Sequence, residues 1–188
     1  MEIGNFISSA IKNYKDGQYN VALSLTCSAI DATARKISPS LNNSKKIKKF
    51  ISDNMRIVSF FGLPGISCGG LRINCDSIPE IKKDAQNRVG LEDIIYHAIR
   101  CNIIHECKPD PRIEFIAHTC IGGEKNGKFF LPAQILNGLI FSVLLQETNI
   151  NEKVDFKMEI KLPNKTYDIN ELWGKKEELM PVMHGAIK

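Results

Sequence analysis

An arginine and a histidine lie five residues apart in an otherwise apolar segment, at Arg100 and His105. Apolar residues recur around them at steps of three and four, which predicts an α-helix with one face in the core. The members of that face are Leu91, Ile94, Ile95, Ala98, Ile99 and Ile103. At about 100° per residue, the two polar side chains project about 140° apart. A guanidinium can bind a phosphate group, and an imidazole can transfer protons near neutral pH.

Two further polar residues flank His105. Asn102 lies three residues before it, and Glu106 follows it directly. The prolines at positions 109 and 111 cannot continue a helix, which places His105 in the last turn. The negative end of the helix dipole stabilises a protonated imidazole there. An alternative interpretation is purely structural, because both side chains can also cap terminal carbonyl groups and contact acidic neighbours.

An arginine followed by four residues and a histidine, near the end of an apolar helix, resembles the signature of the HEPN superfamily. Arg100 and His105 match its two defining positions, whereas Cys101 stands where members often carry Asn, Asp or His. The resemblance covers residues 1–150. It implies a mainly α fold, a HEPN-like helical bundle to which the sequence adds one or two β-hairpins. It also implies a metal-independent endoribonuclease without cofactors, of a kind found in toxin–antitoxin and anti-phage defence systems.

The resemblance also implies partners. Active sites of the superfamily are typically shared by the motif helices of two protomers, which implies a homodimer, and an antitoxin or other regulatory protein is a further possible partner. An earlier helix often brings an acidic side chain towards the Arg–His pair, and Asp31 is the candidate for that role. The open alternative for Asp31 is a surface ion pair with Arg35, worth only about 0.2–0.5 kcal/mol. Since inactive members are common, a non-catalytic dimerisation or partner-binding module is the alternative function.

The chemistry expected of these residues is cleavage of RNA by its own 2′-hydroxyl group. Attack on the adjacent phosphorus needs a base for the hydroxyl proton, an acid for the leaving 5′-oxygen and positive charge near the phosphoryl oxygens. His105 can transfer protons, a role worth about 10²–10⁴-fold in rate, and Arg100 can stabilise the growing charge. One histidine cannot easily be both acid and base, which is a chemical reason to expect two protomers at one site.

A basic segment offers further contacts to RNA. Residues 35–56 carry seven basic side chains and one acidic side chain, a net charge of +6 in a chain whose total is +4. Such a segment attracts polyanions, but it also fits the solvated start of a helix. The irregular segment 62–90 leads into the motif helix and adds Arg72 and Arg88 as possible phosphate contacts. The RNA-binding candidates are Arg35, Lys45, Lys46, Lys48, Lys49 and Arg72.

Hydrophobic periodicity and turn residues predict the remaining elements. Besides the motif helix, helices are expected over residues 2–15, 18–37, 44–61 and 133–146. Hairpins are expected between 113–121 and 128–131, across Asn126-Gly127, and between 155–162 and 166–169. Ser44 is expected to cap the third helix, and Asn170 to cap a short final helix that contains Trp173.

The chain as a whole has the composition of an ordinary globular protein. It has 188 residues, of which 43% are hydrophobic and 24% charged. One domain is expected over residues 1–188, with a helical core at about 1–150 and a β-rich extension at about 151–188. No apolar run is long enough to cross a bilayer, and the chain start lacks the pattern of a secretory signal. A cytoplasmic protein that does not bind membranes is therefore expected.

Two other patterns are interpreted as incidental. The six cysteines suit reduced thiols, and the repeated His-x-Cys spacing at 105–107 and 118–120 gives little support for a zinc site. Residues 122–128 match part of a phosphate-binding loop, but Phe129 stands where a magnesium-binding Ser or Thr is required. A hairpin turn is expected there instead.

Overall fold

The structure, a computed structural model, describes residues 2–63, 65–117 and 124–185. Helices dominate these residues, and short two- and three-stranded sheets lie between them, which confirms the expected class of mainly α with small β additions. The helices are α1 Ile3–Lys15, α2 Tyr19–Ile37, α3 Asn43–Asp53, α4 Met55–Gly62, α5 Leu91–Ile94, α6 Asn102–Glu106, α7 Ile135–Leu144 and α8 Lys176–Met183. The strands are β1 Arg72–Asn74, β2 Arg88–Gly90, β3 Ile113–Ile116, β4 Glu124–Lys125, β5 Lys128–Pro132, β6 Glu159–Lys161 and β7 Thr166–Asp168.

Helices α1 and α2 pack against each other and begin the core. Their bounds agree with the predicted ones to within one residue. Gly17 separates them at φ +74°, a left-handed conformation that glycine adopts without steric cost. Ile7 of α1 is fully buried, and Leu23 and Ile30 of α2 are almost so. The pairing holds α2 in place, and α2 is the helix that carries Asp31.

The single helix predicted over residues 44–61 is wrong, because the structure has two helices there. Asn42, rather than Ser44, caps α3, and its Oδ1 accepts a hydrogen bond from the Lys45 amide at 3.0 Å. The helix breaks at Asn54, which is buried and has φ −111°. The side-chain oxygen of Asn54 accepts hydrogen bonds from Gln146 and Lys176, which lie far along the chain. These tertiary hydrogen bonds favour the break.

Strands β1 and β2 form an antiparallel pair that leads into the motif helix. Ile73 lies opposite Val89 in this pair. Asp84 shapes the connection, since its Oδ1 accepts hydrogen bonds from the amides of Gln86 and Arg88, both at 2.9 Å. Residues 62–90, expected from the sequence to be irregular, contain this strand pair.

The first predicted hairpin is only partly right. Strand β5 does pair with β3, but the two run parallel, and the antiparallel partner of β5 across the Asn126-Gly127 turn is β4. Asn126 and Gly127 have φ of +54° and +72°, which suits a two-residue turn between antiparallel strands. A parallel pair needs a longer crossover, and residues 118–123 of that crossover, including His118 and Cys120, lie outside the described residues.

Helix α7 is the centre of the core. Its residues are almost all buried, and it packs against α4 and α2. Gly138 lets α7 approach α4, because an added Cβ would overlap the backbone carbonyl of Val58. None of the described helices is both long and apolar enough to span a bilayer.

The C-terminal segment packs on α1. The Gly4 amide donates to Glu152 at 2.7 Å, and the Ser8 hydroxyl donates to Asp155 at 2.8 Å. The predicted second hairpin is confirmed as the antiparallel pair of β6 and β7. The predicted cap is wrong. Asp168 caps the short 3₁₀ helix Ile169–Glu171, while the Asn170 side chain accepts a hydrogen bond from the Val154 amide. Helix α8 begins only after Trp173, which is buried.

Candidate active site

The motif helix is continuous over residues 91–106, and its middle is wider than an α-helix. Helix α5 passes into the π-helical turn Ile95–Cys101, which passes into α6. Buried residues recur along it at steps of four, namely Leu91, Ile95, Ile99 and Ile103. Four residues rotate an α-helix by about 400°, so such a stripe drifts by about 40° at each step. A π-helical turn bonds residue i to i+5 and holds more residues, which reduces the drift and keeps the stripe buried.

Asn102 supports the junction between the π-helical turn and α6. The Asn102 Nδ2 donates to the carbonyl of His97 at 3.0 Å and more weakly to that of Ala98 at 3.5 Å. This side chain is therefore engaged by its own helix.

The π-helical turn presents Arg100 to Asp31 of α2. Arg100 Nη2 donates to Asp31 Oδ2, and Nε donates to Oδ1 at 3.4 Å. The two side chains are only 12% and 16% exposed. The hydrogen bond that Arg100 donates to Asp31 is the main reason that the pKa of Arg100 lies above its usual value, so Arg100 stays charged. The alternative pair of Asp31 with Arg35 is absent among the described residues, where Arg35 is exposed.

Cys27 lies beneath this pair as a neutral thiol. It is 1% exposed. Burial, and next the charge of Asp31, raise its pKa to about 12. A thiol nucleophile needs a lowered pKa, so Cys27 serves the packing of α2 rather than covalent chemistry.

His105 lies in solvent at the end of the motif helix. It occupies the last turn, as predicted, and Glu106 beside it is also exposed. Cys107 ends the helix with φ +58°. The structure therefore separates the two signature residues: Arg100 is turned against α2, and His105 is exposed to solvent. No hydrogen bond links them within the part of the chain that the structure describes.

His97 is a polar residue of this helix that the sequence did not single out. It lies half-buried on the π-helical turn, with its ring edge-to-face against Tyr96 at 5.0 Å between centroids. Burial first, and the positive charge of Lys48 second, lower its pKa below the ordinary value. Both effects favour the neutral form of His97. Its position eight residues before His105, on the same helix, was the only available signal.

The comparisons with known proteins cover nearly the whole chain. The sequence model of the Rv1289 family matches residues 2–187. The chain belongs to the Rv1289 family. The uncharacterized protein Rv1289 of Mycobacterium tuberculosis is 19% identical over 194 residues, which cover 98% of this chain and 89% of that protein. The uncharacterized protein Mb1320 of Mycobacterium bovis gives the same values. No solved structure matches the chain significantly.

The Rv1289-family match includes the C-terminal segment, which the HEPN resemblance does not. Residues 151–187 lie inside the matched range, and the same segment packs on α1 through Glu152 and Asp155. No group of three or more His, Cys, Asp or Glu side chains is placed to hold a metal ion within the described residues.

The basic segment of this Rv1289-family chain is more neutral than its sequence indicates. Lys48 pairs with Asp93 at 2.8 Å, and Lys49 pairs with Asp53 at 2.8 Å. Lys46 is only 8% exposed. Arg35 and Lys45 are exposed. On the two strands that precede the motif helix, Arg72 and Arg88 both contact Asp84, at 3.5 and 3.4 Å. Arg35 and Lys45 are therefore the RNA-binding candidates most open to a phosphate.

Proposed function

We propose that this Rv1289-family protein is a HEPN-like, metal-independent endoribonuclease in which His105 transfers protons and Arg100 binds the phosphate. The observation that carries the proposal is the ion pair between Arg100 and Asp31. Its geometry matches the arrangement that the resemblance implies, an acidic residue of an earlier helix held against the signature arginine. The exposure of His105 at the end of the same helix supports its access to a substrate.

Arg100 retains donors for a phosphate in this arrangement. A guanidinium has five N–H groups, and Asp31 accepts from Nε and from Nη2. The remaining donors are held in a fixed plane, which lowers the entropy lost when a phosphate binds. Asp31 thus acts as a positioning residue, while Arg100 stabilises charge on the phosphoryl oxygens in the transition state.

The proposed reaction begins with removal of the 2′-hydroxyl proton by one histidine. The 2′-oxygen bonds to the adjacent phosphorus, the bond to the 5′-oxygen breaks, and a second proton donor protonates the leaving oxygen. The products are a 2′,3′-cyclic phosphate and a free 5′-hydroxyl. His105 of a second protomer is the natural second group, so the proposal includes a homodimer. Exposed Ile104, beside His105 at 42% exposure, supports an interface at this end of the helix.

The proposal places the protein in the cytoplasm, with cellular RNA as substrate and an antitoxin or another regulatory protein as a possible partner. A non-catalytic dimerisation or partner-binding module is the second candidate. One observation favours it: Asp31 already neutralises Arg100, and the side chain of Arg100 is 88% covered (12% exposed).

The test is cleavage of structured and single-stranded RNA by the purified full-length protein in EDTA. We expect cleavage by wild type and by His184→Ala, which removes an exposed histidine at the end of α8, but not by His105→Ala or Arg100→Ala. Cleavage by all four proteins would point to a contaminating nuclease. Dimer formation by a protein that binds RNA without cutting it, in every variant alike, would favour the non-catalytic module.

A further inference from the structure

A narrow recess of about 100 Å³ lies where the end of α2 meets α3 and the start of α8. Its polar lining consists of Ser38, Lys46, Lys49, Asp53, Asn54, Gln146 and Lys176. At about 30 Å³ per water molecule, the recess has room for about three water-sized groups. This is the size of a single phosphate group and too small for a folded segment of chain.

Two lysines give the recess an unbalanced positive charge. Lys49 is neutralised by Asp53, whereas Lys46 and Lys176 have no carboxylate partner among the residues that the structure describes. Lys46 is only 8% exposed and lines the recess, so neighbouring side chains cover its aliphatic stem. The C-terminal end of α2 offsets this charge only in part, since it equals about half an elementary charge.

Asn54 holds one of these lysines in place. Its Oδ1 accepts hydrogen bonds from Lys176 Nζ at 2.8 Å and from Gln146 Nε2 at 3.0 Å. Its Nδ2 donates to the carbonyl of Phe50 at 2.8 Å, which fixes the orientation of the amide. The floor of the recess is thus a buried hydrogen-bonded network, and Lys176 is ordered before any ligand arrives.

A wider groove of about 600 Å³, whose lining includes two isoleucines, adjoins the recess. The two share Ile37, Gln146 and Lys176 in their linings. Ile37 and Ile150, which are 43% and 53% exposed, both line the groove. Exposed isoleucines that flank one concave surface provide apolar contact for a ligand.

The lining of the groove carries three carboxylates beside two lysines, Lys175 and Lys176. Glu147, Glu177 and Glu178 line it, and Glu178 is paired with Lys175 at 3.1 Å. A polyanion such as RNA would meet these carboxylates along its length, whereas a small ligand can place one anionic group in the recess and its remainder in the groove. The charge pattern therefore favours a small molecule over a nucleic acid.

We propose that the recess and groove form a binding site for a small phosphate monoester with an apolar body. The phosphate carries about −1.5 to −2 charges at pH 7. This charge matches the ammonium groups of Lys46 and Lys176, for which the described residues provide no carboxylate partner. The apolar body lies over Ile37 and Ile150. This site is separate from the proposed nuclease chemistry and does not depend on it.

Isothermal titration of the full-length protein tests the proposal with n-hexyl phosphate, hexanoate and inorganic phosphate. We expect n-hexyl phosphate to bind about tenfold more tightly than either of the other two, because only it fills both parts of the site. Lys46→Met and Lys176→Met should each weaken n-hexyl phosphate about tenfold, the loss expected for one charge-assisted hydrogen bond. Ile37→Ser should weaken n-hexyl phosphate but not inorganic phosphate.

Matched variants separate this site from other effects. Lys157→Met removes an exposed lysine outside the recess and should bind as wild type does, as should His105→Ala. Circular dichroism checks the folding of Lys46→Met, and Lys176→Met supplies a second, half-buried position. Absence of n-hexyl phosphate binding to wild type, or equal binding by wild type and both lysine variants, would overturn the proposal.

Discussion

Replacing Asp31 with alanine leaves the guanidinium of Arg100 without its carboxylate. The two side chains are 12% and 16% exposed, so water can replace the lost partner only in part. Removing one member of a buried pair costs about 3–5 kcal/mol, whereas a fully exposed pair contributes about 0–1 kcal/mol. Because each side chain keeps some contact with solvent, we expect the lower end of the first range. Asp31→Ala should therefore reduce the free energy of unfolding by about 3 kcal/mol.

Urea unfolding, followed by circular dichroism, measures this loss as a shift of the midpoint at unchanged slope. Asp53→Ala is the matched control, because it removes the carboxylate of an i,i+4 pair with Lys49 whose side chains are 52% and 54% exposed. That variant should lose about 0.5 kcal/mol or less. The double variant Asp31→Leu with Arg100→Met should recover most of the loss, since no charge is left buried. An Asp31→Ala cost no larger than that of Asp53→Ala would refute this account of the pair.

Three further predictions concern the surrounding helices. His97 has a lowered pKa in the folded chain, so as the pH falls the unfolded chain binds the proton of His97 before the folded chain does. The contribution of His97 to the free energy of unfolding should be complete above about pH 6.5 and decrease below it. His97→Gln should flatten that part of the plot of urea midpoint against pH, and an unchanged slope would argue against burial as the cause. Asn102→Ala should cost about 1 kcal/mol, because the carbonyl of His97 loses its donor; no measurable change in urea would mean that water replaces the amide. Gly138→Ala should lower stability by about 3 kcal/mol because its Cβ overlaps the Val58 carbonyl, and a thermal midpoint equal to that of wild type would show that α4 and α7 move apart freely.

Local patterns were sufficient to predict several elements. The apolar spacing in residues 2–15 and 18–37 predicts α1 and α2 almost to the residue, because helix periodicity and a glycine turn are local properties. The break at Asn54 could not be predicted in this way. It depends on hydrogen bonds to Gln146 and Lys176, which lie 92 and 122 residues further along the chain.

The direction of β3 relative to β5 could not be predicted from the sequence either. An Asn-Gly turn predicts a hairpin, and the hairpin exists, but its first strand is β4 rather than β3. Strand β3 is an apolar strand beside β5 whether the two run parallel or antiparallel, so the hydrophobic pattern alone does not give its direction.

Residues of the candidate site could be named from the sequence, but how they are arranged could not be predicted from it. The HEPN resemblance made Asp31 a candidate to lie near Arg100, with a surface pair to Arg35 as the open alternative, and the structure shows a hydrogen bond between Asp31 and Arg100. Charge counting, in contrast, treated Lys46 as an exposed cation, although tertiary packing buries it. The π-helical turn had no distinct signal, because the buried residues from Leu91 to Ile103 show the steps of three and four of an ordinary α-helix.

Product analysis tests the central claim most directly. A 5′-labelled RNA is incubated with the full-length protein beside the same sequence in which every 2′-hydroxyl is replaced by hydrogen, and the products are identified by mass spectrometry. The proposed chemistry predicts fragments of the RNA that end in a 2′,3′-cyclic phosphate, none from the 2′-deoxy strand, and none from either strand with His105→Ala. Equal cleavage of both strands, or equal fragments from wild type and His105→Ala, would contradict it.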